Sequence, residues 1–225
     1  MLRRALAVLL LATLALAPAA CGDHDDSAEH GHSAGQTGGP PAADIVTLTP
    51  EPDSDGFAGV AVSEPQQAPD FAGLRNSQGE VVSISDLRGK AVLVTFVYTN
   101  CPDVCPLIMT NIRKAQEMLG PAAEDLAVVA VSVDPKGDTA EQVNDYLRRM
   151  RLRGKVDWLI GDRASLEKVW TAWGIATRIP RDDPDLVEHA APIFGISASG
   201  RVTVIYDVQV KAEELLQDIP KLQQI

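Results

Sequence analysis

The sequence is poor in basic residues, cysteine and histidine, and these shortages narrow the possible functions. Its 225 residues carry 20 lysines and arginines against 31 acidic residues. They do not form the clustered basic stripe that a phosphate backbone requires, so we exclude nucleic acid as a partner. The net charge of -11 is uneven, because nine acidic residues and no lysine or arginine lie between residues 22 and 67. A chain of this length can bury one good core, and a second full domain would have to be small.

The N-terminus has the pattern of an export signal. Two arginines precede an apolar run over residues 5–17 that ends in small residues. The run is too short to indicate a permanent transmembrane helix. Cys21 follows Ala19-Ala20 as in a bacterial lipoprotein box, which predicts a signal peptide over residues 1–21 and a lipid anchor on Cys21. Pro18 stands where such boxes usually have leucine, so ordinary cleavage after residue 19 is the alternative. Both interpretations place the domain outside the cytoplasm.

Residues 22–64 have the composition of an acidic tether. They are rich in glycine, proline, alanine, aspartate and serine, and such a segment buries too little apolar surface to offset its ordering entropy. Three histidines, His24, His30 and His32, lie there among acidic residues. A short histidine-rich tract can bind metal weakly, but incidental histidines in a solvated linker explain the pattern equally well. We assign no site to this segment.

Residues 65–225 alternate between strand and helix patterns. Apolar runs predict buried strands at 91–98 and 126–133, with further strands at 158–160, 192–197 and 202–206. Helical periodicity indicates helices at 107–119, 139–150, 164–173 and 212–218. The last two strands are close enough to form a hairpin, so the sheet should be mixed, with parallel strands first and an antiparallel pair last. This order predicts an α/β protein with a thioredoxin-like fold, its mixed central sheet flanked by helices.

Two cysteines carry the most informative chemistry. Cys101 and Cys105 stand in Cys-Pro-Asp-Val-Cys-Pro, where the first buried strand ends and the first long helix begins. A helix N-terminus favours a thiolate, so both sulfurs should be partly ionised near neutral pH. A separation of four places the two side chains on one side of a helix, with Cβ atoms about 5 to 6 Å apart. A shared metal ion or a disulfide between them is then within reach.

His189 is the only histidine in the predicted domain. Two thiolates prefer soft metals such as Cu(I) or Zn(II), and a closed zinc site needs four protein ligands. Residues 65–225 have no third cysteine, so two cysteines and one histidine would form a three-coordinate site suited to copper. A lone histidine is more often structural or solvated, and spacing alone does not decide between these roles.

Three segments together resemble the SCO/SenC proteins. They are the run from Val97 to Pro106, the segment Val131-Ser132-Val133-Asp134-Pro135 with Asp138-Thr139 after it, and His189 in a late loop. Three residues separate the motif cysteines, whereas thioredoxins and most thiol oxidoreductases have two. The resemblance covers about residues 65–225 and implies that Cys101, Cys105 and His189 bind one copper ion. Glu188, where the family commonly has aspartate, and Lys136-Gly137 depart from the pattern without removing a ligand.

The resemblance further implies a metallochaperone rather than an enzyme. Such a protein would deliver copper to the copper A centre in subunit II of cytochrome c oxidase, from the outer face of the cytoplasmic membrane. Another periplasmic copper chaperone would be a second partner. Asp134 would support the metal loop from the second shell, although an ordinary Asp-Pro turn explains it equally well. The alternative function is a thiol-disulfide oxidoreductase, in which Cys101 and Cys105 cycle between dithiol and disulfide.

Overall fold

The computed structural model describes residues 56–180 and 186–225. The described residues form nine strands, which in chain order are β1 (Val60–Gln67), β2 (Arg75–Asn76), β3 (Ala91–Val97), β4 (Leu126–Ser132), β5 (Asp157–Ile160), β6 (Thr177–Arg178), β7 (Glu188–His189), β8 (Ile193–Ile196) and β9 (Arg201–Tyr206). Seven strands make one sheet in the order β1-β9-β8-β3-β4-β5-β2, and β6 and β7 form a separate two-stranded ribbon.

The helices follow the predicted order. They are α1 (Val104–Leu119), α2 (Ala140–Arg149), α3 (Arg163–Ala172) and α4 (Ala212–Gln223). Polar N-cap residues stabilise the first turns of α2 and α3. Thr139 accepts a hydrogen bond from the Gln142 amide, and Asp162 accepts one from the Ser165 amide. Helix α4 continues through Pro220 beyond the predicted end at residue 218. None of the helices that the structure describes is long and apolar enough to span a bilayer.

The sheet is mixed, as the sequence predicted. Strands β3, β4 and β5 run parallel, while β8 pairs antiparallel with β3 and β9 pairs antiparallel with β8. The α/β class with a central mixed sheet flanked by helices is therefore confirmed. Because the carboxyl ends of parallel strands meet at one edge, the loops after β3 and β4 lie side by side, and this edge positions the cysteines.

The sheet begins earlier than residue 65, where the sequence analysis placed the start of the domain. Strand β1 starts at Val60 and pairs antiparallel with β9, with an irregular register between Ala61 and Gln66. Its sequence contains Pro65 and several polar residues, which suit an edge strand and conceal the alternating pattern of a half-buried one. Two-residue strands such as β2 and β6 are also too short to leave a pattern.

The core lies on both faces of the central strands. Every residue of β3 is buried, which explains its continuous apolar run. Helix α1 covers one face with Ile108, Met109 and Ile112, which are at most 1% exposed. Elsewhere in the core, Trp173 stacks on Phe71 with their ring centroids 5.7 Å apart. The rigid β3–α1 unit holds the cysteine loop at the carboxyl edge of the sheet.

Candidate metal centre

The cysteine loop joins the end of β3 to the start of α1. Cys101 lies in the loop and is 8% exposed, while Cys105 lies in the first turn of α1 and is fully buried. The N-cap residue Asp103 makes no side-chain capping hydrogen bond. Instead, the sulfur of Cys101 accepts a hydrogen bond from the Cys105 amide at 3.4 Å. Cys101 therefore supplies the acceptor that a helix N-terminus requires, and its sulfur faces free N–H groups.

This geometry makes the two thiols unequal. A hydrogen bond from the Cys105 thiol, assisted by backbone N–H groups of residues 103–105, lowers the pKa of Cys101 to about 6 against the opposing effect of burial. The same thiol–thiolate hydrogen bond and burial raise the pKa of Cys105. The expectation that both sulfurs are partly ionised is therefore wrong for the metal-free pair, because Cys101 holds the negative charge and Cys105 keeps its proton.

Both cysteines are free thiols in this structure. The predicted disulfide between Cys101 and Cys105 therefore remains a prediction for the oxidised protein. Cys21 and the histidines His24, His30 and His32 lie outside the described residues.

His189 lies in the short ribbon strand β7, opposite Thr177 of β6. Its Nδ1 donates a hydrogen bond to the carbonyl of Ala190 at 2.8 Å, because a carbonyl oxygen can only accept. Burial lowers the pKa of His189, which favours the neutral ring. A neutral ring with the proton on Nδ1 leaves the Nε2 lone pair free, and this is the form that binds metals.

Tyr98 lies between the cysteines and the histidine. Its carbonyl accepts a hydrogen bond from the Cys101 amide at 3.3 Å, and its ring lies edge-on to His189 with centroids 5.9 Å apart. Its hydroxyl accepts a hydrogen bond from the Val187 amide at 3.4 Å. Burial, followed by the nearby thiols, raises the pKa of Tyr98. The sequence analysis placed Tyr98 at the end of an apolar strand and within the run that carries the family resemblance, but it assigned this residue no role.

The structure brings two of the three predicted copper ligands together. Cys101 and Cys105 are in direct contact, whereas His189 is in contact with the ring of Tyr98. Within residues 56–180 and 186–225, no three side chains of histidine, cysteine, aspartate or glutamate are grouped closely enough to hold a metal ion. The donor types nevertheless fit copper, since two sulfurs and an unprotonated imidazole nitrogen are the ligands that Cu(I) prefers.

Asp134 forms a turn after β4. Its Oδ1 accepts hydrogen bonds from the amides of Lys136 at 3.1 Å and Gly137 at 3.0 Å. Gly137 packs so closely that a Cβ there would overlap the Asp134 carboxylate and lie 3.1 Å from the side-chain nitrogen of Asn100. These contacts support the turn-forming interpretation of Asp134. The second-shell role of Asp134 stays a prediction.

Asp138 is a buried residue beside the cysteine loop, and the sequence analysis assigned it no role. It is 4% exposed, and its Oδ1 accepts hydrogen bonds from the Thr99 amide at 2.8 Å and the Thr99 hydroxyl at 2.7 Å. Its Oδ2 accepts one from the Ser132 hydroxyl at 2.6 Å. This carboxylate therefore ties the cysteine loop to the end of β4. Burial raises its pKa to about 6. In the sequence, Asp138 precedes the helix-starting Thr139 and looks like part of an exposed turn.

The mixed sheet flanked by helices and the pair of free cysteines at the start of α1 place the chain in the class of thioredoxin-like proteins that carry a dithiol. The family model described as SCO1/SenC matches residues 62–224. The chain therefore belongs to the SCO1/SenC family.

Relatives agree with this assignment. The chain is 27% identical over 148 residues to an SCO2-like protein of Rickettsia prowazekii, covering 64% of this chain and 71% of the relative. It is 29% identical over 155 residues to protein SenC of Rhodobacter capsulatus, covering 66% and 68%. Among solved structures, Bradyrhizobium japonicum ScoI with copper bound matches at 29% identity and a TM-score of 0.60, covering 72% of this chain and 99% of ScoI. Apo Sco1 from Thermus thermophilus matches at 28% identity and a TM-score of 0.63, covering 74% and 96%.

Proposed function

We propose that this protein binds one copper ion through Cys101, Cys105 and His189 and delivers it to the copper A centre of cytochrome c oxidase subunit II. The observation that carries the proposal is the pair of cysteines at the N-terminus of α1, where the Cys105 amide donates a hydrogen bond to the Cys101 sulfur and the pKa of Cys101 is lowered to about 6. The copper-bound relative ScoI supports the choice of metal. The neutral ring of His189 supplies the third donor once its Nε2 turns toward the sulfurs.

The soft sulfur ligands of the pair favour a monovalent copper ion. Cys101 already carries a negative charge near neutral pH, whereas Cys105 must lose its proton before it can act as a thiolate ligand. Binding of Cu(I) to both sulfurs therefore releases about one proton at pH 7. The resulting complex of one cation and two thiolates has a net charge of -1, in a loop that is close to the surface. Three ligands leave a position open to an incoming thiolate, as transfer by ligand exchange requires.

Anaerobic titration of the reduced full-length protein with Cu(I) tests this proposal. We expect one tightly bound copper per chain, with two sulfurs and one nitrogen in the X-ray absorption spectrum and about one proton released per copper in weakly buffered solution. Cys101→Ser, Cys105→Ser and His189→Ala should each weaken binding. The proposal fails if the wild-type protein binds no stoichiometric copper or if His189→Ala binds it with unchanged affinity.

A thiol-disulfide oxidoreductase is the second candidate, and the inequality of the thiols favours it specifically. A thiolate with a pKa of about 6 beside a buried, protonated partner is the arrangement in which Cys101 attacks and Cys105 resolves a mixed disulfide. Reduction of a disulfide in an exported substrate protein would then depend on both cysteines and be insensitive to His189→Ala. Loss of reductase activity in that variant would argue against this function.

We further propose that the protein acts at the outer face of the cytoplasmic membrane, anchored by a lipid on Cys21. The support is the sequence pattern of residues 1–21 alone. Metabolic labelling with a radioactive fatty acid should mark the wild-type protein and leave Cys21→Ala unlabelled. Recovery of an unlabelled wild-type protein in the soluble periplasmic fraction would support ordinary signal-peptidase cleavage instead.

A further inference from the structure

The ribbon that carries His189 is held weakly by its own contacts. Strands β6 and β7 share only two residue pairs, Thr177 with His189 and Arg178 with Glu188. The ion pair between Arg178 and Glu188 has side chains that are 73% and 43% exposed, and exposed ion pairs stabilise little. A two-stranded ribbon of this length is not stable in isolation. The position of the histidine therefore depends on contacts with the rest of the domain.

Tyr98 provides such contacts from a fixed position. It follows β3 directly, is 1% exposed and accepts a hydrogen bond from the Cys101 amide through its carbonyl. Its side chain reaches the histidine segment twice, through the hydroxyl to the Val187 amide and through the ring to His189. A single rigid residue thus contacts both the cysteine loop and the histidine segment.

We propose that Tyr98 is a positioning residue for copper binding, which acts through His189. Its hydroxyl anchors the backbone at Val187, and its ring limits the directions in which the imidazole can turn. The histidine segment then stays within reach of the two sulfurs, and less conformational entropy is lost when Nε2 binds. This inference rests on the proposed function, because it assigns Tyr98 a role in the same copper site.

A double-mutant cycle with Tyr98→Phe and His189→Ala separates this role from a general effect on stability. Phenylalanine keeps the ring and removes the hydroxyl, so the Val187 amide loses its partner. We expect Tyr98→Phe to weaken Cu(I) affinity about tenfold, because the loss of one hydrogen bond that holds the backbone at Val187 has an effect of about this size. In the His189→Ala background, the same substitution should have almost no effect, because the ligand through which Tyr98 acts is gone.

The matched control is Tyr146→Phe. Tyr146 is also buried, and its hydroxyl has no hydrogen-bond partner among the described residues. Removing that hydroxyl should leave copper affinity unchanged. Affinities are measured by competition with a chromophoric Cu(I) chelator under anaerobic conditions. X-ray absorption should show a reduced nitrogen contribution in Tyr98→Phe and an unchanged one in Tyr146→Phe.

Amide hydrogen exchange of the metal-free protein gives an independent measurement. Exchange at Val187 should accelerate in Tyr98→Phe and stay unchanged in Tyr146→Phe. Equal losses of copper affinity in both His189 backgrounds, or unchanged exchange at Val187, would overturn the role of Tyr98 while leaving the copper site intact. A wild-type protein that binds no stoichiometric copper would instead overturn the proposed function on which the inference depends.

Discussion

Replacement of Asp138 by asparagine should change how the stability of the protein depends on pH. The carboxylate is 4% exposed, accepts three hydrogen bonds from Thr99 and Ser132, and has no cationic partner among its described hydrogen-bond contacts. Burial raises its pKa from the usual value of 3.8 to about 6. The folded protein therefore holds this proton more tightly than the unfolded chain does between these two pH values.

The direction and size of the effect follow from linkage. A group whose pKa is raised on folding contributes stability below its unfolded pKa, and that contribution is lost as the pH rises through its folded pKa. Each unit of pKa difference corresponds to about 1.4 kcal/mol. Ionising Asp138 in the folded protein therefore costs about 3 kcal/mol more than in the unfolded chain. Asparagine has no proton to lose, so the variant avoids this cost.

Urea unfolding of the wild-type protein and Asp138→Asn at pH 4 and pH 8 measures the difference. Between pH 4 and pH 8, the free energy of unfolding of the variant should rise relative to that of the wild type by about 2.5 kcal/mol, because an unfolded aspartate is already partly ionised at pH 4. Asp138→Ala serves as the comparison, since it leaves the donors of Thr99 and Ser132 unpaired and should destabilise at both pH values. Parallel pH profiles for wild type and Asp138→Asn would refute the conclusion that burial raises this pKa.

Three further predictions follow from local geometry. Iodoacetamide should label Cys101 at a rate that rises through a midpoint near pH 6, since the pKa of this thiol is lowered to about 6. It should not label Cys105, which is fully buried. A midpoint above pH 8 would contradict the assignment of Cys101 as the thiolate. Arg151→Gly should raise the free energy of unfolding by about 1 kcal/mol in urea titrations. Arg151 has a φ of 59° just after α2, where glycine fits without strain. Equal stability of the variant and the wild type would show that the arginine is unstrained. Gly137→Ala should lower the Tm because its Cβ would overlap the Asp134 carboxylate, and an unchanged Tm would show that this turn relaxes freely.

The sequence predicted those elements whose burial leaves a regular pattern. Strand β3 is buried on both faces, so its residues form a continuous apolar run, and α1 buries one stripe at helical spacing. The edge strand β1 leaves no such pattern, since five of its eight residues are exposed and Pro65 interrupts it. The buried position of Asp138 was not predicted for a related reason. An aspartate after a strand indicates a turn unless its partners in other segments are known.

The unequal thiols depend on geometry that no spacing rule contains. A separation of four predicted that the side chains of Cys101 and Cys105 are neighbours on one helix, yet it treated their sulfurs as equivalent. The difference arises because Asp103 does not cap α1, so the Cys101 sulfur accepts the hydrogen bonds of the helix N-terminus and becomes the thiolate, while Cys105 is sealed in the core.

Sequence spacing also could not predict the role of His189. Its place in the sequence said only that it precedes a strand, and its proposed role came from the family resemblance. In the structure, Tyr98 links His189 to the cysteine loop. It lies close to Cys101 in the sequence and far from His189, and it contacts both segments. The proposed copper site would therefore have two neighbouring cysteines already in place and a third ligand that must still approach. In that proposal, the cysteines would bind copper first and the histidine would then complete the site, and the reverse order would release copper to an acceptor with competing thiolates.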